Sequence, residues 1–600
     1  HPNLSLKITG GISNRMIHAD AFYNSQTAKG TPLIPTNTRG SYGIVAFEET
    51  NNWVNENTLT YKKKMGNHNL DILGGFTLQG RKLNSNGYTS INVPNESLGL
   101  SGLDEGTPFN NVALASENTL ASFISRVNYN YKSKYLLTAS YRADGSSKFV
   151  SDNKWGYFPS GAFAWRMSSE EFMKNLTFIS DAKFRVSYGL TGNNRVNDYA
   201  TYASLSFLPV NPNLTLTNNY SFNNATPGKG VIPSTLPNQD LKWETTSQLD
   251  LGYDLSLFKN RISVTVDLYK KITSDLLLNA NMPYTTGYIK ALQNIGKTEN
   301  KGLELSLNTI NIQTPSFTWS TNFNISFNRN KLISLADNQE TLLSPINWEV
   351  AYANTPLYIA QVGAPVAQFY GFKWDGNYRY DAFDLANGVY TLKSDQAYYG
   401  ASRTAIQPGD IRYNDINGDG KVDDNDRTVI GSPLPKNTGG FSNNFSYKGL
   451  DLGVLLQWSY GNEVMNANRI IFEGNSLNYR NLNQYSEYID RWTPENQSNT
   501  LARVGGQGPK GVYSSRVIED GSYLRLKTVS LGYALPQKFI SKLKVAKVYL
   551  SASAQNLYTI TGYSGMDPEV SVRNSALTPG FDYSAYPRAK TITFDLKISL

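Results

Sequence analysis

The chain has 600 residues, a formal net charge of +8, 12% aromatic residues including 39 tyrosines, no cysteine and a mean hydropathy of −0.41. No stretch approaches the ~20 consecutive apolar residues of a membrane-spanning helix, which excludes a helical inner-membrane protein but leaves a β-barrel open. Disulfides are impossible without cysteine, and no basic run interleaves with aromatics, so no nucleic-acid partner is expected.

His1 opens the chain with no signal peptide before it, the pattern of a mature or partial product. From there segments of about ten residues alternate between apolar and polar side chains, as strands with one greasy and one wet face do. They come in pairs. After a first strand near 3–12, one pair joins through Gly66-Asn67 and the next through Lys132-Ser133-Lys134. In that second pair Phe123, Val127, Tyr129 and Tyr131 form one face, continued by Tyr135, Leu137, Ala139 and Tyr141. A short helix-like stretch from Ser168 to Lys174 links the following pair, with Glu170-Glu171 placed to cap it through Ser168. Leu249, Leu251, Tyr253, Leu255 and Leu257 then alternate up to a Lys259-Asn260-Arg261 turn, and Ile262, Val264, Val266 and Leu268 return. Further pairs turn around Pro315, at Lys448-Gly449 and through a helix-like Pro536 to Leu543. The last strand runs from Arg588, with Ile592, Phe594, Leu596, Ile598 and Leu600 on one face. Taken alone, this strand could also belong to a half-buried sandwich.

Between the pairs lie long Gly/Asn/Pro-rich stretches, roughly 13–50, 81–118, 143–154, 192–240, 273–298, 330–435, 462–519 and 559–587. Short turns on one side and long loops on the other characterise outer-membrane barrels, with the short turns in the periplasm. A sandwich has no reason to segregate its loops. The expected fold is therefore all-β, a transmembrane antiparallel β-barrel with about sixteen strands in residues 1–600. If 588–600 runs down to the periplasm, the first visible strand runs up, so at least one strand is expected to precede it.

Several stretches resemble the SusC/RagA-like TonB-dependent transporters of the Bacteroidota outer membrane. They include Tyr135 to Phe149, Phe184 to Asn194, Val362-Gly-Ala-Pro365 with Phe369 to Phe372, and Tyr523 to Leu526 with Leu531 to Tyr533. The most specific are Ala554 to Leu557, Asp567-Pro-Glu569 and Tyr586 to Thr591. They stand in family order from about residue 50 to the end. The resemblance implies a 22-strand barrel with an internal plug, a TonB-pulled periplasmic segment and a SusD-like surface lipoprotein acting as a lid. Plug and TonB-binding segment are not seen in this chain, and about six strands of such a barrel would be missing. Leu600 departs from the aromatic residue common at that terminal position.

The best site signal is Asp415-Ile-Asn417-Gly-Asp419-Gly420-Lys421-Val-Asp423-Asp-Asn-Asp426. Asp415, Asn417, Asp419 and Asp423 put side-chain oxygens at loop positions 1, 3, 5 and 9, Gly420 takes the sharp-turn position 6, and Lys421 offers a carbonyl at 7. Asp426 closes position 12, where its reach is shorter than that of the usual Glu. The spacing fits a structural Ca²⁺ between extended flanks; the alternative is an Asx-rich surface turn without an ion.

Catalytic constellations are not evident. His1, His18 and His68 are too scattered for a zinc site or a triad, and Gly296-Lys-Thr298 lacks the first glycine and the strand-to-helix setting of a phosphate loop. Tyr370, Trp374, Tyr378 and Tyr380 are candidates to stack on sugars or receive peptide side chains, or else girdle or lid-contact residues. The leading expectation is import of oligosaccharides or oligopeptides across the outer membrane, with a SusD-like lid, TonB, and outer-membrane lipid and lipopolysaccharide as partners. The alternative is a SusC-like barrel serving as a structural subunit of a larger outer-membrane assembly. A plain diffusion porin has no use for loops this long.

Overall fold

The computed structural model describes residues 2–34, 37–206, 219–220, 228–229, 232–282, 284–288, 290–336, 339–474, 482–506, 508, 511–540, 545–572 and 575–599. His1, Leu600, much of 192–240, parts of 330–435 and 462–519, and the end of Pro536 to Leu543 lie outside these residues.

Sixteen strands follow one another in a single antiparallel order. They are β1 (Leu4–Tyr23), β2 (Tyr42–Met65), β3 (His68–Ile91), β4 (Thr107–Tyr131), β5 (Tyr135–Ser146), β6 (Trp155–Arg166), β7 (Ile179–Asn193) and β8 (Glu244–Leu257). β9 (Ile262–Ser274), β10 (Lys297–Gln313), β11 (Phe317–Ser334), β12 (Asn437–Tyr447), β13 (Leu450–Tyr460), β14 (Tyr523–Ala534), β15 (Lys547–Thr561) and β16 (Thr591–Ser599) complete the order. Each strand neighbours its predecessor, and among the described residues no helix is long and apolar enough to cross a membrane, so the inner strands satisfy their backbone by up-and-down pairing. The sixteen strands read from the sequence are present, as are the turns that fall within the described residues. Two compact units partition the chain, one of residues 1–165, 185–249 and 273–296, the other of 166–184, 250–272 and 297–600.

In the first unit the register fixes which side chains share a face. Ile72 pairs with Val127, Leu70 with Tyr129 and Phe76 with Phe123, and β5 continues the row with Leu137 opposite Tyr129. This face stays exposed at Leu59, Ile72, Phe123, Leu137 and Tyr141, an apolar surface no soluble domain leaves uncovered over so many strands. The other face is buried where loops return to it: Phe149, Phe158, Leu241 and Trp243 form a cluster.

Here the structure departs from the sequence reading. β1 to β4 are 20, 24, 24 and 25 residues long, so much of 13–50 and 81–118, expected as loop, is strand. The apolar rows end near Trp53, which pairs with Gly80. Beyond it the same face carries Asn51, Glu49, Lys82 and Asn84, with Asn14 Nδ2 donating to Glu49 Oε1 at 3.0 Å and Asn51 Oδ1 at 2.7 Å. The ladder continues after the hydrophobic alternation has stopped.

In the second unit the greasy face runs through Phe445, Leu452, Leu531 and Ala552 to Phe594 in register. The Lys448-Gly449 turn has positive φ at both residues, 46° and 88°, the backbone twist two-residue hairpins need. Between β6 and β7 the helix-like stretch is two 3-10 turns, Met167–Ser169 and Glu171–Met173. Ser168 does not cap them: its hydroxyl donates to Asp181 at 2.5 Å, and Glu171 pairs with Lys174 at 2.8 Å. Tertiary acceptors on β7 outcompete the local cap.

The facing assignment can be tested by placing an arginine on each side of β14. Leu531→Arg puts a charge on the greasy face at a cost of ~2–4 kcal/mol at a bilayer midplane, whereas Ser530→Arg sits on the polar face and costs little. The yield of heat-modifiable folded barrel in membranes should fall several-fold for the first variant only. Equal yields would overturn the assignment.

Candidate functional site

Three long connections of the second unit fold together: 335–436 after β11, 461–522 after β13 and 562–590 after β15. Their centre is apolar. Strands Pro356–Gln361 and Gln368–Gly371 pair Tyr358 with Phe369, and these two rings pack with Met465, Tyr513 and Phe581, none more than 2% exposed. Such aromatics each bury ~150–250 Å² and dominate a core's energetics. Their polar ends are satisfied: Tyr358 Oη donates to the Pro579 carbonyl at 2.6 Å, and Trp348 Nε1 donates to Tyr513 Oη at 2.8 Å. Burial pushes both phenols well above the ordinary tyrosine range, so they stay neutral. Segments that read as polar loops therefore carry a core of their own.

Charged groups fasten the connections to each other. Arg469 pairs with Glu473 at 2.8 Å and Glu519 at 3.2 Å, and Arg516 reaches Glu473 at 2.6 Å. Glu519 also accepts from Asn466 Nδ2 at 3.1 Å and from the Ser564 amide at 2.8 Å, which ties 461–522 to 562–590. A second clamp starts on the polar face of β14. Arg525, buried between Leu524 and Leu526 in sequence, pairs with Asp567 at 2.5 Å and Glu569 at 2.8 Å, and its Nε donates to Thr559 at 2.9 Å. Arg588 closes the set on Glu569 at 3.0 Å. Burial alone would raise the Asp567 carboxyl, but the Glu569 amide and Arg525 outweigh it and hold the group below its ordinary value. The Asp567-Pro-Glu569 motif is thus a socket for a strand arginine.

Beside this clamp lies a cleft of about 660 Å³, lined among others by Asn324, Gln457, Ser459, Asn462, Tyr523 and Glu569. These polar groups and Lys527 alternate with Pro433, Leu455, Trp458 and Val464, so the space offers both hydrogen bonds and apolar contact. Of the polar residues, Tyr523 and Glu569 lie in stretches that carry the family resemblance; nothing in the sequence singles out the others, which tertiary packing brings beside them.

The 415–426 loop forms a compact turn with Gly418 and Gly420 at φ +75° and +82°, as the spacing requires. Asp415 accepts from the Gly418 and Gly420 amides, both at 2.7 Å, Asn417 Oδ1 from the Asp419 amide, Asp419 from Lys421 and Asp423 from Asn425. Asp426 is fully buried and accepts from the amides of Ile416, Asn417 and Asp423 at 2.7, 3.2 and 2.8 Å. Both its oxygens close the loop rather than point to its mouth. Among the described residues no three acidic or histidine side chains converge as a metal site. The donors are all oxygens, with the Lys421 carbonyl among them, the kind hard cations take, and in this structure the side-chain oxygens accept from the loop's own amides.

Of the singled-out aromatics, Tyr378 is a core residue, 1% exposed and donating to the Ala397 carbonyl at 2.6 Å, not a ligand platform or girdle residue. Tyr380 packs half-buried against Tyr390 and Trp492, while Tyr370 and Trp374 are also half-buried. His18 stacks on Phe47, and His68 Nδ1 lies 2.6 Å from Tyr129 Oη beside a short turn.

Comparison with known proteins places these features. The family described as TonB dependent receptor-like, beta-barrel matches residues 3–409. The chain is 35% identical over 99% of its length to TonB-dependent receptor P3 of Formosa agariphila, covering 56% of that protein. It is 30% identical over 81% of its length to TonB-dependent receptor SusC of Bacteroides thetaiotaomicron, covering 44% of it. The structure of the RagAB peptide transporter superposes on the whole chain with a TM-score of 0.79 at 24% identity, over 60% of that protein's chain, a likeness of fold. The chain spans about half the length of the curated relatives it matches.

The Arg525 clamp makes a pH-dependent prediction. Arg525→Leu strands two carboxylates and should cost ~3 kcal/mol of local stability, seen as faster proteolysis within 562–590 while the barrel stays heat-modifiable. Because the folded pKa of Asp567 is depressed, its stabilisation is present above the unfolded value of ~3.9 and is lost as pH falls through the folded one. Wild-type protection of 562–590 should therefore persist at pH 6 and weaken below about pH 4, and Arg525→Leu should be unprotected at both. Wild-type-like protection of the variant would show that the clamp holds nothing.

Proposed function

Because the chain belongs to the TonB-dependent receptor β-barrel family of the outer membrane, we propose that it forms most of the wall and the outer loop layer of a nutrient importer. The observation that carries this reading is the loop layer itself. Connections of a diffusion pore need only stay out of the way, whereas 335–436, 461–522 and 562–590 share an aromatic core, and ion-pair clusters tie 461–522 to 562–590 and 562–590 to β14. A rigid layer beside a cleft with both polar and apolar walls is the surface on which a captured ligand and a lid can be held in place.

The proposed cargo is an oligosaccharide or oligopeptide, too large for porins, as amides and hydroxyls at the cleft can hydrogen-bond either one. The proposed partners are a SusD-like lipoprotein closing over the loops, and TonB acting through a plug in the remainder of the protein. Of the named neighbours, RagAB is described as a peptide transporter, and the lipoprotein pairing follows from the resemblance of the sequence to SusC-like transporters. No covalent chemistry is assigned to the chain: binding, orientation and release are what its side chains supply. The test is to tag the full-length protein in its native outer membrane, identify what co-purifies, and follow growth of a deletion strain on defined oligosaccharides and oligopeptides. A co-purifying surface lipoprotein and loss of growth on one such class are expected. Absence of both would overturn the importer reading.

Within that layer we also propose a structural Ca²⁺ held by Asp415, Asn417, Asp419, the Lys421 carbonyl and Asp423, with Asp426 closing the loop from inside. An ion that binds only the folded loop stabilises it by mass action. A chelator should accelerate cleavage within about 410–430 in the wild type and leave the strands intact, and Asp415→Ala/Asp419→Ala should be cleaved rapidly with or without it. Chelator-independent cleavage of the wild type would reduce the loop to an Asx-rich turn.

A further inference from the structure

The greasy face of β9, β10 and β11 ends abruptly in positive charge. On β11 Phe317, Trp319, Phe323, Ile325 and Phe327 face the lipid, and the next two positions on that face are Arg329 and Lys331. Phe317 to Phe327 is about the length of strand that crosses a bilayer. On β10 the face passes from Leu305 and Leu303 to Lys301 and Glu299, and on β9 from Leu268 to Lys270. Lys270, Lys301, Arg329 and Lys331 are all exposed.

Their arrangement is electrostatically incomplete. Lys301 stands directly opposite Arg329 in the ladder, where like charges repel. One carboxylate serves the group: Glu299 bridges Lys270 at 3.1 Å and Lys301 at 2.8 Å. Arg329 Nη1 donates to the carbonyls of Asn328 and Lys436 at 2.9 and 2.8 Å, which fixes the guanidinium plane without neutralising it. Among the described residues no ion pair is seen for Arg329 or Lys331. Three rigid strands thus present fixed cations one row above the hydrocarbon, on the side of the long loops, where the outer leaflet carries its phosphates.

We infer that this patch binds the phosphorylated glycolipid headgroup of the outer leaflet, the lipid A portion of lipopolysaccharide. A fixed guanidinium can take a phosphate by two parallel N–H···O bonds, and the lysines add point charge. The acyl chains would lie on Phe327, Ile325 and Leu303 directly below. This assignment rests on the outer-membrane placement of the chain, which membrane fractionation checks separately.

The test uses the full-length protein purified in mild detergent and native mass spectrometry with three probes: rough lipopolysaccharide, the same lipid with its lipid A phosphates removed, and phosphatidylglycerol. Wild type should bind the phosphorylated glycolipid, and Lys301→Gln/Arg329→Gln/Lys331→Gln should bind it at least about tenfold more weakly. Lys301→Arg/Lys331→Arg should retain binding, and Lys259→Gln/Lys448→Gln, in the short turns, should be unaffected. Heat-modifiable migration controls for folding. Equal binding of the dephosphorylated glycolipid, equal binding of phosphatidylglycerol, or an undiminished triple-glutamine variant would each overturn the assignment.

Discussion

A backbone that crosses hydrocarbon must satisfy every N–H and C=O internally, and from β2 to β15 this chain meets that demand by pairing each strand with both its neighbours in sequence. The rest follows from it. Alternating side chains give one face to lipid and one to a polar interior, so Leu531 and Ser530, adjacent in sequence, live in different solvents. Alternate connections emerge on the same side, which leaves one set free to shrink to Lys448-Gly449 and the other free to grow into a folded layer.

That layer obeys the rules of a water-soluble domain. Its core of Tyr358, Phe369, Met465, Tyr513 and Phe581 is dry, and the buried phenols find acceptors or donors. Its ion pairs are of the kind that contribute little unless every member is satisfied, and here most are: Glu473 holds two arginines, and Arg525 spends three nitrogens on Thr559, Asp567 and Glu569. Placing Arg525 on a strand and its carboxylates in a loop converts the stiffness of the sheet into order in the loop.

How much of this was legible depended on which solvent imposed the pattern. Leu249 to Leu268 and Ile592 to Ile598 read plainly, because lipid on one side and water on the other write the strand period into the sequence. The upper halves of β1 to β4 did not, since Asn14, Glu49, Asn51 and Lys82 meet water on the apolar side as well and nothing enforces alternation there. The spacing of the 415–426 loop revealed its turn, but not that Asp426 would point inward onto three amides. Tyr378 looked like a loop-surface residue and is buried, because its partner, the Ala397 carbonyl, is set by tertiary packing. The resemblance of Asp567-Pro-Glu569 to a family pattern marked the place without its reason, which is Arg525.

The long β2–β3 ladder, unbroken from Gly43 opposite Ser90 to Met65 opposite His68, has a consequence for sequence change over time. A slip of one residue would turn every side chain of the hairpin to the wrong face, which is forbidden in the lower rows, where Phe76, Ile72 and Leu59 meet lipid, and at the top, where Val45 packs with Val93 and Leu103. Between these two anchors the register is inherited rather than specified, so exposed positions such as Lys82 can change while the wall keeps its form.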